Sequence, residues 1–300
     1  MCDIANVSKS GYYKWLNNKN KISAREILEV IYIKEIFSRK DKVYGIRTIK
    51  MKLEQDYGIV INRKKIARIM KENNLITKTR KQKPYSKQKV NQEQLISENI
   101  VSRNFKDRTA LEAFGIDITY LKYNNKFAYL CVLQDMKTTE VISYKTGTNY
   151  STSLVLSTVT EGLINLPKEI VQKAIIHSDR GSQFTSKAYK DLLEYFGITQ
   201  SMSLPANPRD NAVIESFFGH MKDEINLKKV KTFDEVVDII DEYMYDYNNN
   251  RKQWNKNRMT PIEYRQFLVA SFLSTFEGTL QTAPFPLTCY GEVRTYRKFT

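Results

Sequence analysis

The chain has 300 residues, of which 41% are hydrophobic and 27% are charged, and its net charge at pH 7 is +15. This composition is ordinary for a globular chain of about two domains, and no apolar run approaches the ~20 residues of a membrane span. The three cysteines are far apart and form no Cys-x-x-Cys pair, which argues against a disulfide framework or a cysteine-based zinc site. No signal-peptide pattern opens the chain, so we expect a cytoplasmic protein with no membrane partner.

The excess positive charge lies in the first third of the chain. Residues 1–108 contain 26 Lys/Arg and 11 Asp/Glu, whereas residues 109–300 contain 22 of each. A basic block of this kind is typical of proteins that bind polyanions, and nucleic acid is the commonest such partner. The alternative is a basic, solvated surface without a ligand.

The basic first third has the apolar spacing of short helices. The spacing predicts helices over about residues 7–18, 22–37, 46–57 and 63–73. Gly58 follows the third of these as a C-terminal stop, and Asn62 precedes the fourth as an N-cap. Two helices joined by a short turn, the second of them basic, are typical of a helix-turn-helix motif.

The fourth predicted helix is the candidate DNA-recognition helix. One of its faces is apolar, and basic residues populate the others, among them Arg63, Lys64, Lys65 and Arg68. The second helix of a helix-turn-helix enters the major groove of DNA, so we expect these four side chains to contact DNA. A small helical bundle with a charged exterior is the alternative interpretation.

From residue 113 the pattern changes to strands alternating with helices. Three strands joined by short turns predict an antiparallel meander, over residues 114–121, 127–133 and 141–144. Further elements are predicted as a helix over 150–165, a strand over 170–177, a helix over 186–196 ended by Gly197, and a strand over 198–203. A helix capped by Asp210 follows, and later helices begin after Thr232 and at Pro261. This order predicts an α/β fold, with a mixed five-stranded sheet flanked by helices.

Three acidic residues occupy positions suited to a metal site. Asp117 lies in the first strand, Asp179 closes the apolar run 174–176, and Glu215 follows in a helix after 35 intervening residues. Mg²⁺ prefers hard oxygen ligands, and two such ions about 4 Å apart can activate an attacking hydroxyl and stabilise the leaving oxygen of a phosphodiester. Singly, each acid is better explained as a surface charge or a cap. A paired-carboxylate glycosidase would leave the basic first third without a role.

Two further residues share a helix face with Glu215. Asn211 lies about one turn before Glu215 and Lys222 two turns after it. We expect the carboxylate to bind metal, and Lys222 and Asn211 to contact DNA. The chain has only two histidines, so a histidine-rich zinc site is excluded, and we expect His177 to support the site without binding metal.

The motifs around these residues resemble those of a known family. The stretches are Asp117-Ile-Thr-Tyr, His177-Ser-Asp-Arg-Gly-Ser-Gln-Phe, Ser201-Met-Ser and Asp210-Asn-Ala-Val-Ile-Glu-Ser-Phe-Phe-Gly-His-Met-Lys. They resemble the DDE transposases of bacterial insertion sequences, specifically the IS-three (IS3) family, whose catalytic core is similar to that of retroviral integrases. The resemblance covers about residues 7–268.

The resemblance implies a ribonuclease-H-like core in which Asp117, Asp179 and Glu215 bind two Mg²⁺ ions, with Mn²⁺ as a substitute. Lys222 matches a family lysine that contacts element-end DNA. Such enzymes cut a strand at the element end, and the freed 3′-hydroxyl attacks another phosphodiester. The implied partners are element-end and target DNA, and an upstream reading-frame product, as a fusion or as a separate chain. We also expect a homo-oligomer on DNA and association with the bacterial nucleoid when bound.

With this resemblance the chain divides into five predicted regions. They are a basic helix-turn-helix-like region (1–77), a basic linker (78–108), a ribonuclease-H-like integrase core (109–228), a helical extension of the core (229–268) and an unassigned tail (269–300).

Three features depart from the family pattern. Gly115 replaces the usual tryptophan, which predicts looser packing under the site; the loop 203–209 lacks the common basic-glycine pattern; and the tail from about 274 does not resemble the family pattern. Two alternatives to an active strand transferase remain open. One is a catalytically defective DNA-binding relic or repressor of transposition, and the other is a general metal-dependent nuclease.

Overall fold

The computed structural model describes residues 7–18, 23–39, 43–78, 97–101, 108–203 and 211–276. Contacts divide the chain into two compact units, one of residues 1–87 with 219–226 and one of residues 88–218 with 227–300. None of the described helices combines the length and the apolar character of a membrane span. The predicted cap at Asp210, the loop 204–209, and the tail from 277 onwards lie outside the described residues.

The first unit contains the four helices predicted from apolar spacing. They are α1 (Lys9–Asn18), α2 (Ala24–Arg39), α3 (Ile46–Tyr57) and α4 (Arg63–Glu72). A buried cluster that includes Ile33, Ile49 and Ile66 joins α2, α3 and α4. Gly58 ends α3 with a left-handed φ of 65°, and the Asn62 side chain accepts a hydrogen bond from Lys64 N at 2.9 Å. Both predicted helix boundaries are therefore confirmed.

The second unit is built on a mixed five-stranded sheet, as predicted. Its strands are β1 (Ala113–Tyr123), β2 (Lys126–Asp135), β3 (Val141–Gly147), β4 (Ile175–Ser178) and β5 (Thr199–Met202). The spatial order is β3-β2-β1-β4-β5, in which β3, β2 and β1 are antiparallel neighbours and β1, β4 and β5 are parallel. The remaining helices are α5 (Thr152–Ile164), α6 (Lys168–Val171), α7 (Lys187–Phe196), α8 (Ala212–Glu224), α9 (Phe233–Asn249) and α10 (Pro261–Phe276), and the division between the two units falls within α8.

One predicted strand is wrong at its beginning. Residues 170–177 were expected to be extended, but the chain forms the short helix α6 first and enters β4 only at Ile175. The cause is Pro167, whose carbonyl accepts hydrogen bonds from Ile170 N at 3.0 Å and Val171 N at 3.2 Å. Apolar residues in this turn resemble strand residues because a short apolar run does not distinguish a strand from a buried helical turn.

The main core lies on one face of the sheet. Phe114 and Ile176 of the sheet pack with Val155 of α5 and Leu193 of α7 in one buried cluster. Alternate residues of a strand face opposite sides, so the residues between these strand positions face the other layer. That layer contains α8, since a side-chain carbon at Gly115 would lie 3.9 Å from Ile214 Cβ. The sheet therefore separates the α5–α7 layer from the face on which the predicted acids lie.

The C-terminal helices pack on the same unit. Asn248 of α9 pairs with the backbone of Val141 on the edge strand β3, donating to its carbonyl at 2.8 Å and accepting from its amide at 3.0 Å. The ring of Tyr247 on α9 packs edge-on against that of Phe217 on α8, with 4.8 Å between the ring centroids. The helix α10 begins at Pro261, as predicted, and extends for 16 residues.

Candidate active site

Asp117 and Asp179 lie on neighbouring parallel strands. In the register of β1 and β4, Gly115 pairs with His177. Asp117 lies two residues after Gly115, within β1. Asp179 lies two residues after His177, just beyond the end of β4. Residues two apart face the same side of a sheet, and neighbouring strands are about 4.8 Å apart. The register therefore predicts that the two carboxylates face the same side of the sheet.

Glu215 reaches this face from α8. Ile214 of α8 covers the sheet beside Gly115, and Asp117 points to the same side as Gly115. Glu215 follows Ile214 and is exposed, bordering the buried stripe that contains Phe217 and Phe218. The helix thus presents one carboxylate at the edge of its packed surface.

Gly115 does not leave a gap beneath the site. A side-chain carbon at this position would lie 3.2 Å from Met136 Cε, which is tighter than ordinary van der Waals contact. Met136 is itself buried, at 4% exposure. The packing beneath Asp117 is therefore close, contrary to the loosening expected from the missing tryptophan, because Met136 and Ile214 fill the space.

Asp179 and Glu215 are close enough to interact electrostatically. Asp179 is solvent-accessible as a residue, yet its carboxylate is partly shielded from water by protein atoms, which raises its pKa. Its Oδ1 accepts a hydrogen bond from Gly181 N at 2.8 Å, which lowers the pKa in part. Partial removal from water also raises the pKa of Glu215, and the negative charge of Asp179 adds to that increase. Like charges within one site raise each other's pKa in this way.

Sequence reasoning missed Tyr150. Removal from water, followed by the charges of Asp179 and Asp117, raises the pKa of Tyr150 to about 12. Its ring lies 5.7 Å from that of Tyr129, and the next residue, Ser151, caps α5. Tyr150 belongs to no periodic pattern, since its position is decided by the turn from β3 into α5.

The donor set fits a hard divalent cation. Carboxylate oxygens are the protein ligands that Mg²⁺ prefers, and two of the three carboxylates come from adjacent, rigid strands. Among the described residues, no three acidic, histidine or cysteine side chains converge closely enough to form a metal cluster. The pKa of Glu215 is raised first by partial removal from water and then by the negative charge of Asp179, and a bound cation would oppose both effects.

The other residues predicted near the acids have different environments. Lys222 lies two turns after Glu215 in α8, at the predicted spacing, and is half-buried. Asn211 immediately precedes α8 and is only 5% exposed, so the structure does not present its side chain for direct contact with DNA. His177 is fully buried, and both ring nitrogens lie within hydrogen-bond distance of serine hydroxyls, which agrees with a supporting role and not with metal binding.

The four cations predicted to contact DNA from α4 are not equivalent. Lys65 Nζ lies 2.5 Å from Glu29 of α2, and Arg68 lies 2.6 Å from Glu26 of the same helix. These two side chains therefore connect α4 to α2. Arg63 and Lys64, at the beginning of α4, are exposed.

Family models match three stretches of the chain. An HTH-like domain matches residues 23–83, and two models of an integrase core domain match residues 110–208 and 196–261. Over 236 residues the chain is 31% identical to the putative transposase InsK for insertion sequence element IS150 of Escherichia coli, covering 78% of this chain and 81% of that relative. The chain belongs to the insertion-sequence transposases of the IS3 family.

Further relatives agree with this membership. The transposase InsF for insertion sequence IS3A of Escherichia coli is 28% identical over 228 residues, which is 75% of this chain and 77% of that protein. An uncharacterised 31 kDa protein of insertion element IS600 from Shigella sonnei is 29% identical over 270 residues, covering 89% of this chain and 97% of that protein. As an IS3-family transposase with an integrase core, the chain belongs to the proteins of DNA transposition.

Among solved structures, the HTLV-2 integrase catalytic core domain in complex with magnesium is similar to part of this transposase. That match has 16% sequence identity and a TM-score of 0.40, and it covers 52% of this chain and 97% of that domain.

Proposed function

We propose that this chain is an active DNA strand transferase that cuts a strand at the ends of its insertion element and joins the freed 3′-hydroxyl to a second phosphodiester. The observation that supports the proposal is the parallel pairing of Gly115 with His177, from which we infer that Asp117 and Asp179 face the same side of the sheet, together with the charge of Asp179 acting on Glu215.

The three carboxylates would hold two Mg²⁺ ions, with Mn²⁺ as a substitute. Bound there, the ions would activate the attacking oxygen and stabilise the leaving oxygen of the phosphodiester. The chain's own part is to hold the ligands: Gly181 N fixes one Asp179 oxygen, and an added side-chain carbon at Gly181 would come within 3.0 Å of that oxygen. The second Asp179 oxygen then remains the better placed of the two for a metal.

Lys222 extends the proposed site towards DNA. Its ammonium group on α8 lies two turns beyond Glu215, so we assign it to a phosphate of the element end. The DNA partners, the homo-oligomer on DNA and the upstream reading-frame product remain part of the proposal.

The decisive experiment uses purified full-length chain, DNA carrying the ends of its own element, and Mg²⁺. We expect 3′-end cleavage followed by joined products, both abolished by EDTA and restored by excess Mg²⁺ or by Mn²⁺. Joining separates the proposal from a general nuclease, which would give hydrolysis at many positions without joined strands. Salt-dependent DNA binding without any metal-dependent product, also in a fusion with the upstream reading-frame product, would support the defective relic or repressor instead.

Lys64→Ala and Lys65→Ala form a matched pair that tests the role of α4. Lys64 is exposed, so its removal should weaken DNA binding at all sequences and lower the slope of log K against log salt by about 0.9, the share of one phosphate contact. Lys65 is paired with the buried Glu29, so its removal should lower the melting temperature and leave the salt slope nearly unchanged. Fluorescence anisotropy at several salt concentrations measures the first effect, and thermal denaturation measures the second. If the slope of log K against log salt were the same for Lys64→Ala and the unmodified chain, Lys64 would not contact a DNA phosphate.

A further inference from the structure

A chain of buried hydroxyl and imidazole groups lies behind Asp179. His177, Ser201 and Ser203 are buried, at 0%, 0% and 7% exposure. His177 Nδ1 lies 2.9 Å from Ser201 Oγ, and His177 Nε2 lies 3.2 Å from Ser203 Oγ. Because His177 pairs with Ser201 in the register of β4 and β5, the imidazole joins the two parallel strands near their carboxyl ends.

The hydrogen bonds of Ser201 decide where the imidazole carries its proton. Ser201 Oγ accepts from Ile100 N at 3.0 Å and from Val101 N at 3.3 Å. A hydroxyl has two lone pairs and one proton, so with both lone pairs in use Ser201 donates its proton to His177 Nδ1. The ring is then the neutral tautomer with its proton on Nε2.

The hydrogen bonds continue in the same donor-to-acceptor direction from His177 back to β4, the strand that precedes Asp179. The protonated Nε2 of His177 donates to Ser203 Oγ, and Ser203 Oγ donates to the carbonyl of Ser178 at 3.3 Å. Ser203 N donates to that carbonyl as well, at 3.0 Å. Ser178 precedes Asp179, so the hydrogen bonds end on the backbone that holds the proposed metal ligand.

The other end of the network is the segment 97–101, which precedes the core. Ser97 Oγ donates to Gln200 Oε1 at 3.0 Å, and Met202 N donates to the carbonyl of Glu98 at 3.2 Å. Together with the two amides bound by Ser201, these bonds hold the segment along β5. The segment is therefore connected to the backbone before Asp179 through the buried side chains of Ser201, His177 and Ser203.

We propose that Ser201, His177 and Ser203 form a positioning relay, with the imidazole proton on Nε2, that holds the backbone of Asp179 in the geometry needed to bind metal and locks the segment 97–101 to the same strands. The positioning role rests on the proposed function, because it assumes that Asp179 binds a metal. The position of the ring proton and the connection between β4 and the segment 97–101 do not depend on that assumption. Ser201 and His177 are positioning residues, since neither touches the metal or the DNA in this proposal.

The tautomer is testable without any activity. The chain has two histidines, so full-length His220→Gln protein labelled with ¹⁵N-histidine reports His177 alone. Long-range ¹H–¹⁵N correlation spectra should show a protonated Nε2 and an unprotonated Nδ1, and Ser201→Ala in the same background should shift the Nδ1 resonance. A protonated Nδ1 in the unmodified relay would overturn the proposal.

Binding of Mn²⁺ to the protein without DNA, measured by electron paramagnetic resonance, tests the positioning role. Ser201→Ala should weaken Mn²⁺ binding by about tenfold, since loss of outer groups that orient metal ligands costs 10–100-fold in affinity. Ser143→Ala is the matched control, because Ser143 is also a buried sheet serine, bonded to Thr158 O at 2.7 Å and unconnected to Asp179. Equal Mn²⁺ affinity of Ser201→Ala and Ser143→Ala would overturn the positioning role. Failure of the unmodified chain to bind Mn²⁺ would count against the proposed function, and the position of the ring proton would still decide the relay.

Discussion

Replacing Asp179 by asparagine should reduce strand transfer by about 10³-fold or more while leaving DNA binding intact. A metal contributes several kcal/mol of charge stabilisation in the transition state, and about 4 kcal/mol corresponds to a factor of 10³. Asparagine keeps an oxygen that can accept the hydrogen bond from Gly181 N, but it removes the negative charge that binds the cation. Cleavage and joining of element-end DNA in Mg²⁺, measured beside DNA affinity, separate the two effects.

The fold should tolerate this change well. The folded protein raises the pKa of Asp179, mainly by shielding it from water. A carboxyl whose pKa is raised by folding opposes folding once it is ionised, so its contribution to stability falls as the pH rises from the unfolded pKa through the folded one. At neutral pH the Asp179→Asn protein should therefore melt at the same temperature as the unmodified chain or above it.

Asp191→Asn is the matched control for Asp179→Asn. Asp191 is an exposed aspartate on α7, a helix of the same unit on the opposite face of the sheet, and the same chemical change there should leave strand transfer unchanged. If the Asp179→Asn protein cleaved DNA at the same rate as the Asp191→Asn protein, Asp179 would not be a metal ligand.

Arg265→Met should destabilise the second unit by about 3–5 kcal/mol, the cost of leaving one partner of a buried ion pair without its counter-charge. Arg265 of α10 binds Glu140, in the turn between β2 and β3, through two nitrogens at 2.5 Å and 3.2 Å. Both side chains are nearly buried, at 12% and 10% exposure. Burial raises the pKa of Glu140, and Arg265 partly offsets that increase, so without Arg265 the carboxyl is isolated in a region that excludes water.

The double variant Glu140→Gln/Arg265→Met is the control for this prediction. Removing both charges removes the unpaired one, so the double variant should be more stable than Arg265→Met alone. Denaturant unfolding of the four proteins of this cycle gives the coupling free energy. If Arg265→Met unfolded at the same denaturant concentration as the unmodified chain, the ion pair would not stabilise the packing of α10.

Local chemistry explains why so many element boundaries could be predicted. The oxygens of Asn62, Ser151, Ser186 and Thr232 each accept a hydrogen bond from an amide in the first turn of the helix that follows. Gly58 and Gly197 end helices in the left-handed conformation, with φ of 65° and 68°. These interactions join residues two to five apart, so a short stretch of sequence contains both partners and predicts the boundary.

The prediction failed where neighbours in sequence were not the deciding partners. The apolar residues 170 and 171 form a helical turn on Pro167 instead of entering β4. Lys65 and Arg68 are indistinguishable from Lys64 by residue type, yet they pair with acids about 36 and 42 positions earlier in the chain. Arg265 finds Glu140 across 125 residues.

The sequence by itself determined the helices, the mixed sheet, the family motifs and the three acids proposed as metal ligands, because these depend on periodicity, capping and spacing along the chain. Only the tertiary structure decided that β1 and β4 are parallel neighbours with Gly115 opposite His177, the register from which we infer that Asp117 and Asp179 face one side of the sheet. It also decided that Tyr150 lies near both, and that Ser201 connects His177 to the segment 97–101. Strand register and burial arise from contacts between distant segments, and a buried hydroxyl acquires its direction only from the partners that surround it.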